Sequence, residues 1–137
     1  MRRHFLLGYQ LLTGLSDTST GIMLIAAPAT TLHLMTLHAS PETLPFLSYV
    51  GAFVLAVGIA CLYGAWLLMT HPVLVQKLQT VWLLTAITRG LVSVFVVVKV
   101  LSGSLEFGWF TVALTDGALA LFQTIGLVRG WLGNVAH

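Results

Sequence analysis

The chain has 137 residues, 58% of them hydrophobic, and only six Lys/Arg and four Asp/Glu, for a formal net charge of +2. Soluble domains carry about 25% charged residues, so this composition, with a mean hydropathy of +0.97, excludes a water-soluble globular domain. The six basic residues are scattered and form no patch of the kind that binds nucleic acid.

Four apolar stretches follow one another at about residues 5–27, 44–69, 78–101 and 107–131. Each holds roughly 20 residues or more, enough to cross about 30 Å of hydrocarbon as a helix. Backbone polar groups in lipid must be satisfied internally. The expected fold is therefore all-α: a single domain over residues 1–137, an integral membrane four-helix up-down bundle with short connections. The ten-residue segments of alternating polarity that mark a membrane β-barrel do not occur.

The first stretch opens on a basic Met1-Arg2-Arg3, as a signal peptide would. The apolar run is too long for one and carries Asp17 at its middle, so it is read as a retained span. It is also the most polar of the four, with Gln10, Thr13, Ser16, Asp17 and Thr20 beside Gly14 and Gly21. Pro28 interrupts it. Residues 29–38 are expected to form a short amphipathic helix on the outer surface, carrying His33 and His38, before Pro41 and Pro45 restart the chain.

The second stretch places Ala52, Ala56, Ala60 and Gly64 at a spacing of four. Such a smooth stripe lets another helix approach closely: ordinary packing inside the chain, or a docking face for another protein. Cys61 is the single cysteine; it cannot form an internal disulfide and reads as a small packing residue. His71-Pro72 ends this span.

The third stretch sets Thr85, Arg89 and Ser93 on one face, and the fourth carries Thr115, Asp116 and Gln123. Gln10 is expected to meet Gln123. The aromatics Trp66, Trp82, Trp109, Trp131, Tyr9, Tyr49 and Tyr63 lie mostly near helix ends, as an interfacial belt would.

Charge outside the spans gives the topology. Arg2, Arg3, Lys77 and Arg129 fall on one side and Glu42 and Glu106 on the other, which puts both termini in the cytoplasm; Lys99, near the outer end of the third stretch, is the exception, and its stem can snorkel to the interface. Charge inside the spans is the sharpest feature. Asp17, Arg89 and Asp116 each sit about 9–12 residues into an apolar stretch. One charge at the bilayer centre costs roughly 2.5–3.5 kcal/mol, so the three must pair or face a wet cavity. Arg89 and Asp116 stand on sequential helices and form the expected pair. Asp17 completes an Asp–Arg–Asp cluster when the bundle closes, flanked by Thr13, Thr85, Ser93 and Thr115. This polar seam either fixes helix register or forms a small polar site.

The five histidines fall at or beyond the span ends. His4 and His71 share one side and His33 and His38 the other, which makes them the candidate interfacial ligands. No metal motif, haem-attachment motif, phosphate loop or nucleophile elbow occurs, so no metal, catalytic residue or resident cofactor is expected.

The chain resembles the DoxX-like group of small bacterial four-helix membrane proteins. The resemblance rests on the polar, Gly-rich first span from Gly8 to Gly21 running to Pro28, the Leu32-His33-Leu34-Met35 turn, Tyr49 to Gly58 in the second span, Thr88-Arg89-Gly90 in the third, and Asp116 in the fourth. It covers nearly the whole chain. It implies a membrane bundle, and through the group's name a link to quinone-associated complexes, though no residue here carries a redox centre. The expected function is a non-catalytic accessory or structural subunit of a larger membrane complex, with other membrane subunits and the lipid bilayer as partners. The second reading is a module that binds or transports a quinone or lipid beside Asp17, Arg89 and Asp116. A third is an isomerase-type enzyme using an intramembrane carboxylate.

Overall fold

A computed structural model describes residues 3–70 and 75–133. Every regular element among them is helical: α1 (Arg3–Ala26), α2 (Pro28–Leu34), α3 (Leu44–Thr70), α4 (Val75–Leu101) and α5 (Phe110–Val128), with 3-10 turns at Pro41–Thr43 and Phe107–Trp109. Breaks fall where the backbone is constrained. Pro28 occupies the first turn of α2, where its missing N–H has no intrahelical partner to lose. Gly103 turns the chain after α4 with a positive φ of 74°, a conformation that costs glycine nothing. The expected helix over 29–38 stops at Leu34, and Thr36 takes a left-handed φ of 57°.

Among the described residues three helices are long and apolar enough to cross a membrane: Pro41–Thr70 with its leading turn, Val75–Leu101, and Phe107–Val128 with its leading turn. The expected fourth, α1, has the length at 24 residues. However, Gln10, Thr13 and the run Ser16-Asp17-Thr18-Ser19-Thr20 lower its hydropathy.

The long helices associate as two close pairs. α1 packs along α3 and α4 along α5, while α3 and α4 touch over a much smaller area. The first pair is sealed by glycine. A β-carbon on Gly21 would lie 2.5 Å from the Leu55 nitrogen, and one on Gly58 would lie 2.5 Å from the Thr18 nitrogen, so backbone meets backbone at both. Small residues at such crossings maximise dispersion contact where burial alone gives little drive. This corrects the expected stripe. Gly51, Gly58, Gly64 and Ala65 are the buried small residues of α3; Ala60 is half-buried, and Ala52 and Ala56 are exposed. The alanine stripe faces outward over most of its length.

Between the pairs long side chains meet. At the Arg3 end, Leu6, Leu68, Leu78, Trp82 and Leu132 form the core cluster. Phe122 of α5 packs its ring against Phe5 and Tyr9 of α1, Trp82 of α4, and Trp131. Trp82 is thus a core residue rather than part of an outer belt, and it is fully buried. Arg3 closes the same end. Its guanidinium donates to the Leu68 carbonyl at 2.6 and 3.0 Å and to the Met69 carbonyl at 3.3 Å, placing a cation on the free carbonyls of the α3 C-terminus. Arg3→Met is expected to fray the last turn of α3 and cost about 1 kcal/mol, read as faster amide exchange confined to Leu67–Thr70.

At the opposite end, Leu32 and Leu37 are buried. A β-carbon on Gly108 would lie 2.8 Å from a Leu37 methyl, so the segment after α2 is folded over the start of α5. The exposed pair His38 Nδ1–Glu106 Oε2, 3.5 Å apart, bridges the same two segments.

Candidate functional site

Arg89 stands at the middle of α4 and its side chain is 4% exposed. Nη1 donates to Asp116 Oδ1 of α5 at 2.9 Å, and Nη2 donates to Asp17 Oδ2 of α1. The two carboxylate side chains keep about a fifth of their exposure, 20% for Asp17 and 21% for Asp116. Each partner thus occupies a different terminal nitrogen of one planar guanidinium, an arrangement that arginine's fork permits and lysine's ammonium does not. The triad ties α1 of the first pair to both helices of the second.

Neighbouring groups are ordered around it. Thr85, one turn before Arg89, donates to the Val81 carbonyl at 2.8 Å and accepts from Gln123 Nε2 at 2.8 Å. Ser93, one turn after, donates across to the Ala113 carbonyl at 2.8 Å. Thr13 is buried and donates to the Tyr9 carbonyl at 2.8 Å. Cys61 of α3 is buried and stands beside Thr13 and Arg89.

The structure therefore brings together Asp17, Arg89, Asp116, Thr13, Thr85 and Ser93. It does not bring in Thr115, which is exposed and donates back to the Thr111 carbonyl of its own helix at 2.8 Å. Nor do Gln10 and Gln123 bond to each other. Gln123 is held by Thr85, and the Gln10 amide is turned against Gly64 on α3. Among the candidate ligands, His4 and His33 are exposed, His38 pairs with Glu106, and His71 lies outside the described residues. Among the described residues no group of three or more His, Cys, Asp or Glu could hold a metal ion.

Tyr9 and Trp82 are site members that residue patterns assign elsewhere. Their rings lie 5.5 Å apart, and Phe122 packs against both. The signal that finds them is their register: Tyr9 is one turn from Thr13 and two from Asp17, and Trp82 is two turns from Arg89, so each shares the face of a charged residue.

No family model, curated protein or solved structure matches the chain.

Proposed function

We propose that this chain is an integral membrane four-helix bundle of the bacterial inner membrane, with both termini cytoplasmic, that serves as a non-catalytic accessory or structural subunit of a larger membrane complex. α1 is the fourth span. Three of its polar side chains are compatible with that role: Gln10 and Thr13 are buried, Thr13 bonds the Tyr9 carbonyl of its own helix, and Asp17 faces Arg89. The observation that carries the reading is the sharing of Arg89 between Asp17 and Asp116. The three charges at the middle of the spans are used on one another, joining helices rather than presenting a free acid or base to a substrate. The outward faces carry large apolar side chains, among them Leu12, Phe53, Leu91, Leu114 and Leu121, each more than half exposed. These, with the outward Ala52 and Ala56, offer lipid or another subunit an uncharged surface. The DoxX-like resemblance belongs to this proposal and agrees with it.

Native mass spectrometry of the complex extracted from its own membrane tests the reading. Other protein subunits are expected to co-purify at fixed stoichiometry. A lone chain, with or without a stoichiometric small molecule, overturns it.

One observation favours a second reading, a binding module for a quinone or lipid. The Asp17 and Asp116 carboxylates keep open surface at the edge of the seam, where a polar headgroup could reach them. That reading predicts the stoichiometric small molecule that the accessory reading excludes.

A further inference from the structure

Six side-chain polar atoms in the seam between the helix pairs are buried and have no hydrogen-bond partner among the described residues: Tyr9 Oη, both amide atoms of Gln10, Trp82 Nε1, Arg89 Nε and Gln123 Oε1. Thr18 Oγ1 shares this condition but lies against Gly58 in the first pair. Folded proteins pair nearly all their buried polar atoms, with protein or with ordered water, so so many in one place call for an occupant.

The residues that carry them are linked through shared neighbours. The Tyr9 and Trp82 rings are 5.5 Å apart, and Phe122 touches both. Gln10 follows Tyr9 and shares Gly64's surroundings with Leu78, one turn before Trp82. Gln123 follows Phe122 and is held at Thr85, one turn before Arg89. Tyr9 and Arg89 also act on each other electrostatically. The string runs from the Arg3 end to the middle of the molecule. On the far side of Arg89, Ser93 is satisfied by Ala113, and Leu24, Val96 and Ala113 are buried apolar residues.

The chemistry of the atoms selects the occupant. Trp82 Nε1 and Arg89 Nε only donate, Gln123 Oε1 only accepts, and Tyr9 and Gln10 do both. Water donates and accepts in equal measure and fits such a mixture. An anion is disfavoured by the acceptors and by the two carboxylates already on Arg89. Gln10, Trp82 and Gln123 are fully buried, so the site is closed to a bulky ligand. A water needs only two to four polar partners and the space of about one probe sphere.

We propose that ordered waters occupy this seam and bond the unpartnered atoms of Tyr9, Gln10, Trp82, Gln123 and Arg89. The guanidinium of the ion triad is then hydrated through Nε, and the Trp82 indole N–H exchanges its proton with these waters.

The test uses the full chain in detergent micelles, labelled with ¹⁵N-tryptophan. The Trp82 indole N–H is expected to show a water cross-peak and to exchange with D₂O at least tenfold faster than the amides of Thr85 and Ala86. Gln10→Leu removes two of the six polar atoms and fills their volume, and should slow that exchange at least tenfold. If Gln10→Leu fails to fold, hydroxyl-radical footprinting of the unaltered chain decides. Buried Tyr9 and Cys61 should be oxidised within about tenfold of the rate at exposed Tyr49. Trp82 exchange as slow as the backbone amides overturns the proposal, as do an unlabelled Tyr9 and Cys61, or an organic molecule recovered in stoichiometric amount from the seam. None of these readouts depends on whether partner subunits co-purify.

Discussion

Arg89→Ala is expected to lower the unfolding free energy in detergent by about 3–5 kcal/mol, the usual effect of removing one member of a buried ionic group. The loss has two parts. The hydrogen bonds to Asp17 and Asp116 disappear, and two carboxylates are left near each other with no cation. Arg89→Lys should recover only a fraction, because one ammonium on a flexible stem cannot hold the same two directions at once. Asp116→Asn should cost less than Arg89→Ala, since an amide oxygen still accepts from Nη1 and one negative charge remains. The informative variant is triple: Asp17→Leu, Arg89→Met and Asp116→Leu together. Well-packed apolar groups in place of an entire buried ionic cluster are often neutral or stabilising. A purely cohesive triad therefore predicts a melting temperature near that of the unaltered chain. An unchanged melting temperature in Arg89→Ala itself would show that the triad does not hold the helices together.

Gly58→Ala tests the other cohesive element and should act independently. Its methyl would sit 2.5 Å from both the nitrogen and the hydroxyl of Thr18. The nitrogen belongs to a helix and cannot rotate away, so α1 and α3 must separate. Overpacking of this kind costs about 1–3 kcal/mol, and a larger residue such as leucine should cost more. Gly8→Ala is the control. A β-carbon there has nothing within 4 Å, and exchanging a mid-helix glycine for alanine is worth roughly 0.5–1 kcal/mol in the stabilising direction. Thermal melts of the two variants in one detergent should move in opposite directions. A Gly58→Ala melt equal to that of the unaltered chain would remove the glycine seam from the account.

Some of this was legible in the residues and some was not, for physical reasons. Helix positions could be read because Pro28, Pro41, Pro45 and the Ser102-Gly103 turn constrain the backbone locally. The Arg89 cluster could be read because a charge in an apolar stretch has few tolerable surroundings, and the helices available to supply a partner were few. Rotational phase could not be read. α3 is apolar on nearly every side, so hydrophobicity does not separate its inner face from its outer one. Alanine and glycine both looked like contact residues, and only backbone proximity at Gly51 and Gly58 shows which face is turned to α1. Thr115 failed for a related reason. A threonine in a helix can bond its own preceding carbonyl, so its hydroxyl needs no neighbour and does not report where its side chain points. Gln10 and Gln123 do not bond each other, since Thr85 already holds the Gln123 amide.

The division into two close pairs has a consequence for how the molecule comes into being. α1 and α3 emerge from synthesis before α4 and α5, and they carry Asp17 without any basic residue in their middle turns. The later pair contains both Arg89 and Asp116 and is self-compensating. Until Arg89 is in place Asp17 has no mid-helix counter-charge, whereas Arg89 and Asp116 of the later pair can neutralise each other. Chain order places the dependent half first, and α4 brings the cation that it lacks.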